Sequence, residues 1–150
     1  MPVIGRKKSI LLSKIVCVVI FIFLVASIFL IPTYISLFKA NTNLIEDSVL
    51  VAYIVLYASL LPAIVADYFL FRLLCSIEKE EIFVSHNVRC LRILSWCCFL
   101  IGIIYTATGY FFNTAFVIAF AAFFIFLILR VIKNVFDAAV AMKEEYDYTI

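Results

Sequence analysis

Asp67 is the acidic residue that stands inside a long apolar run, and its charge is the first thing the sequence must account for. It lies five residues before Arg72, about 7 Å along a helix at 1.5 Å per residue. A carboxylate at that depth needs a partner, a wet pocket or a proton. Lys14 and Arg130 fall at similar depth in two other apolar stretches, so a structural pair of Asp67 with Arg130 or Lys14 is the expected arrangement. The alternative is a proton or cation site in a small transporter, although such groups tend to lie nearer the membrane midplane. His86 and Cys90 are four residues apart, and Cys75 is near in sequence. With no second His and no Cys-x-x-Cys pair, they do not form a recognisable metal motif, and no metal or cofactor is expected. A single His and the absence of an acid–base pair or catalytic motif argue against an enzyme.

Four apolar stretches must position these residues: Ile15–Phe38, Val49–Phe71, Ile93–Tyr110 and Ala115–Leu129. Hydrophobic residues make up 67% of the chain and charged residues 15%, and mean hydropathy is +1.22. Such a composition belongs to a chain solvated by lipid. The runs lack the period-two alternation of barrel strands, which leaves helices as the spanning solution. The expected fold is all-α: one domain over 1–150, an antiparallel bundle of four transmembrane helices at about 12–38, 48–74, 91–110 and 114–133. A loop over 75–90 and a tail over 134–150 complete it.

Of the 12 basic residues, Lys39 alone lies between the first and second spans, and none lies between the third and fourth. The positive-inside bias therefore puts both termini and the Arg72–Arg92 loop in the cytosol. The first apolar run is too long for a signal-peptide core and lacks a small-x-small cleavage site, so it is expected to stay as a span. A net charge of +2 does not suggest direct nucleic-acid binding. The five cysteines lie in spans or beside the cytosolic loop, where they act as small apolar residues.

Small residues mark helix contacts in lipid. Gly102, Thr106 and Gly109 face Ala115, Ala119 and Ala122 across a very short linker, so the two sets are expected to pack on each other. Pro62 is expected to kink the second span. Ser85 is the expected N-cap of the third helix, which would place Arg89 and Arg92 near anionic headgroups. The acidic tail is expected to dock there, with Glu144, Glu145 or Asp147 close to Arg89 or Arg92.

The stretch Glu81-Ile82-Phe83-Val84-Ser85-His86-Asn87-Val88-Arg89-Cys90-Leu91-Arg92 and the ending Val140-Ala141-Met142-Lys143-Glu144-Glu145-Tyr146-Asp147-Tyr148-Thr149-Ile150 resemble two motifs of one bacterial membrane family, domain of unknown function 2975. The matching positions are Phe83, Ser85, Asn87, Leu91 and Arg92, with Lys143, Glu144, Glu145, Asp147, Thr149 and Ile150. His86 departs where an acid is common, as do Tyr146 and Tyr148 where Asn and Leu are. The resemblance implies a four-helix inner-membrane protein without an assigned activity, often encoded beside a small helix-turn-helix regulator. The functional expectation is a non-enzymatic regulator or sensor in the bacterial plasma membrane, whose loop and tail hold such a partner. A small oligomeric transporter using Asp67, or an immunity or envelope-stress protein against membrane-active peptides, are the alternatives, and a homo-oligomer is compatible with each.

Overall fold

The computed structural model describes residues 2–43 and 45–149, and four helices account for nearly all of them. They are α1 (Pro2–Asn41), α2 (Glu46–Glu78), α3 (Ser85–Thr108) and α4 (Thr114–Thr149). Every one is long and apolar enough to cross a membrane. At 40 residues α1 measures about 60 Å, twice a ~30 Å hydrocarbon core. The 36 residues of α4 give about 54 Å. These two helices must therefore extend well past any bilayer they cross. Pro32 and Pro62 both lie within uninterrupted helix.

The helices pack in chain order: α1 on α2, α2 on α3, and α3 on α4. No other pair comes into close backbone contact among the described residues. The backbone arrangement is thus a row with α1 and α4 at its edges. Tyr57 Oη of α2 donates to the Ile28 carbonyl of α1 at 3.1 Å, and Ser59 Oγ lies 3.4 Å from Tyr105 Oη of α3. At the end of the molecule bearing residues 109–113, side chains of all four helices surround a cavity of about 370 Å³. Ile35, Leu56, Tyr105 and Ala115 are among its walls.

The shortest helix, α3, is the most buried, and the core forms where it meets both neighbours. Leu73, Cys90, Leu91 and Leu94 make the centre, with Ala66, Phe69 and Ile77 of α2 and Leu129 and Phe136 of α4 packed around it. By contrast, among its described residues α1 buries only Cys17, Ile31 and Ile35 and leaves most of its Val, Ile, Leu and Phe side chains exposed. Such a surface is compatible with lipid as the surrounding solvent, since apolar exposure there carries no hydrophobic penalty.

Gly102 and Gly109 of the expected α3 face are buried, whereas Thr106 is exposed, and aromatic rings fill the glycine grooves. A methyl group placed on Gly102 would stand 2.7 Å from the Phe123 ring, and one on Gly109 would stand 2.5 Å from the Phe116 ring. Phe99 of α3 extends this aromatic seam, with centroids 5.8 Å from Phe123 and 5.1 Å from Phe126. Ala115, Ala119 and Ala122 are buried. The seam gains ring-on-backbone contact where alanine alone would leave space.

Candidate functional site

The polar residues of the loop motif converge where α2 ends and α3 begins. The non-helical connection is 79–84, much shorter than the expected 75–90, because both helices continue into the polar sequence. Glu80 has φ 65, the left-handed conformation that closes a helix. The Glu80 N–H donates to the Ile77 carbonyl at 3.1 Å and the Glu81 N–H to the Ser76 carbonyl at 3.2 Å. Together these form a Schellman cap made without glycine. Ser76 Oγ then donates to the Glu81 carbonyl at 3.1 Å.

Asn87 holds the other side of this connection. It is fully buried, and its Nδ2 donates to the carbonyls of Glu81 at 2.8 Å and Ile82 at 2.7 Å. Its Oδ1 is buried with no partner among the described residues. Ser85 is not the N-cap: that position belongs to Val84, in extended conformation, with no side-chain cap bond. The asparagine explains the difference, since it ties down the entering chain through carbonyls and leaves Ser85 exposed as the first helical residue. Phe83 then lies against Phe136 of α4, with ring centroids 5.5 Å apart.

Beside this contact runs a groove of about 210 Å³ between α3 and α4. Ser85, Val88, Arg89 and Arg92 line one side, and Asp137 and Val140 the other. The acid that shares the groove with the arginines is therefore Asp137, which the sequence reading missed. The sequence expected to form the docked tail continues α4 as helix. Val140 is the last buried residue among those described, and Lys143, Glu144, Glu145, Tyr146, Asp147 and Tyr148 are all exposed. No Gly or Pro follows Gly109 in the chain to turn the helix back. Tyr148 lies eight residues past Val140, about 12 Å farther along the axis. Thr149 closes α4; its side chain and Ile150 lie outside the described residues, so their part in the expected docking surface has no structural counterpart.

Asp67 occupies a different place, between α1 and α2. It is 8% exposed and lines a cavity of about 310 Å³ with Cys17, Val18, Phe21, Tyr68 and Phe71. The expected pairs with Lys14 and Arg130 do not form. Lys14 Nζ donates to Glu78 Oε2 at 2.6 Å and stands 5.8 Å from the Phe71 ring centroid. Arg130 lies on α4, which has no close backbone contact with α2. Its guanidinium is 6.0 Å from the ring centroids of Trp96 and Phe126. Lys14 reaches toward the end of its neighbour because a long alkyl stem can remain on apolar surface while the ammonium seeks a polar region. The sequence did contain the signal for Glu78. If α2 continues to that residue, Asp67, Phe71 and Glu78 are four and eleven residues apart and share one face.

His86 Nε2 is 3.6 Å from Cys90 Sγ, the ordinary neighbour distance for positions four apart on a helix. All five cysteines are free thiols.

Neither the curated proteins nor the solved structures contain a match to the chain. The family model for DUF2975, a protein of unknown function, matches residues 38–150. That region takes in α2, α3, α4 and the end of α1, and with it the loop cap, the groove and the exposed end of α4. On this match, the chain belongs to the DUF2975 family.

Proposed function

We propose that the protein is a non-enzymatic regulator or sensor of the bacterial plasma membrane that holds a small soluble partner on the exposed end of α4. The observation that carries this reading is the projection of Lys143–Tyr148 beyond the last buried residue of α4. This strip combines three acids with two tyrosines: the acids select a basic surface, and the rings supply apolar anchors. The Ser85–Val140 groove, with Arg89 and Arg92 on its rim, offers the same partner a second point of attachment.

In this reading the four helices alternate in direction and both termini lie in the cytosol. Pairing of Gly102 with Phe123 and Gly109 with Phe116 supports opposite directions for α3 and α4. Lys14 with Glu78 and Ile28 with Tyr57 support the same for α1 and α2. The one-sided distribution of Lys and Arg supports the orientation. A small helix-turn-helix regulator is the partner class suggested by the family resemblance. Co-expression with such a regulator encoded nearby, followed by capture from detergent, provides the test. Deleting Tyr146–Ile150 is expected to abolish co-purification while the protein remains in the membrane. Equal recovery of the regulator with the truncated protein would refute the assignment.

A further inference from the structure

The cavity beside Asp67 joins a buried acid, cations held elsewhere and an apolar, aromatic wall. Asp67 as a residue is 8% exposed, and its carboxylate has no hydrogen-bond or ion-pair partner among the described residues. Nearby cations are placed elsewhere: Lys14 on Glu78 at 2.6 Å, and Arg72 over the Tyr68 ring at 5.8 Å. The remaining wall is apolar and aromatic, and Val18, Phe21 and Tyr68 are exposed on the surface of the α1–α2 pair. The cavity therefore has an opening on a side that would meet lipid.

We propose that this cavity binds a small organic cation, an amine or quaternary ammonium, with Asp67 as its counter-ion. A buried acid is neutral when protonated and needs a counter-ion when ionised, and an incoming cation supplies that counter-ion in the space already beside it. The lining selects the kind of cation. Hard divalent ions require several oxygen ligands, whereas this cavity offers one carboxylate. A weakly hydrated ammonium instead gains from the faces of Phe21, Tyr68 and Phe71. Lys14 already holds an ammonium 5.8 Å from the Phe71 centroid, so one wall is already used in this way. Glu78 holds that internal ammonium, so Lys14 does not serve as the counter-ion of Asp67. The inference is independent of any soluble partner on α4.

The test uses the purified full chain in detergent and isothermal titration with phenyltrimethylammonium. Its neutral isostere, tert-butylbenzene, serves as the comparison. Wild type is expected to bind the cation saturably, one per chain and more tightly than the isostere. Asp67→Asn should weaken cation binding at least tenfold and leave the isostere unchanged, while Asp67→Glu should retain most of the affinity. Glu78→Gln should weaken binding several-fold, because the released Lys14 competes for Asp67. Equal affinity for the cation and isostere in wild type would overturn the proposal even if the Asp67 variants failed to fold. So would the absence of saturable binding, or unchanged cation affinity in Asp67→Asn.

Discussion

Asn87 is the residue whose loss should most damage the loop end of the molecule. Its amide donates at 2.8 and 2.7 Å to two successive carbonyls and has no solvent exposure. Asn87→Ala removes both bonds. Each has a net worth of about 0.5–1.5 kcal/mol; the Glu81 carbonyl keeps Ser76 Oγ as a donor, and the carbonyl of half-buried Ile82, losing its amide donor, adds about 1 kcal/mol. Losing the unpartnered Oδ1 returns part of that sum. The expected destabilisation is about 2–3 kcal/mol. Asn87→Asp should be worse, at about 3–5 kcal/mol, because it places an unpaired charge against two carbonyl oxygens. Unfolding from mixed micelles with increasing SDS, followed by circular dichroism, gives the stability change. Hydrogen exchange at Glu81–Asn87 should rise in the same variants, because their backbone is what the amide holds. An Asn87→Ala protein within about 0.5 kcal/mol of wild type would refute the anchoring role, as that is below one net hydrogen bond.

Other variants test the cap, the seam and the ion pair. Glu80→Gly should stabilise the protein by about 0.5–1 kcal/mol in the same titration, because glycine relieves the positive φ at the cap but loses more chain entropy on folding. Gly102→Ala should destabilise it by about 1–3 kcal/mol by forcing the Phe123 ring away, and Phe123→Leu should recover part of the loss. Gly5→Ala, with nothing within 4 Å of the added methyl, is the clash-free control and should stabilise by up to about 1 kcal/mol through helix propensity alone. A double-mutant cycle of Lys14→Gln and Glu78→Gln should give a small favourable coupling that shrinks with salt, since Glu78 is 46% exposed.

The four helices were legible because lipid solvation imposes a signal on every residue of a span. Long uncharged runs between charge clusters leave few alternatives. The α3–α4 interface was legible for a related reason: a short linker and two small-residue stripes leave little choice of neighbour. Details of side-chain partnership were not. Lys14 could reach acids at several heights, and choosing Glu78 over Asp67 depends on how α1 and α2 are docked in register. Ser85 had the right chemistry for a cap, but Asn87 satisfied the incoming carbonyls from inside the helix. The tail's charges complemented Arg89 and Arg92, yet charge alone could not bend α4. Continuous helix keeps those acids exposed on α4 and places Asp137 in the groove with the arginines. The open cavity beside Asp67 was illegible as well, because it arises from the packing of side chains on two separate helices.

The proposed placement of the α4 end is tested most directly by accessibility labelling. A single cysteine at position 146 (Tyr146→Cys), with the five native cysteines replaced, is exposed to a membrane-impermeant maleimide in oriented vesicles. Tyr146 is 68% exposed, so a thiol there should react wherever the reagent has access. Rapid labelling in inside-out vesicles, with none in right-side-out vesicles until they are permeabilised, is the expected result. Labelling of intact right-side-out vesicles would contradict a cytosolic α4 end, and a thiol unreactive even after permeabilisation would contradict its exposure.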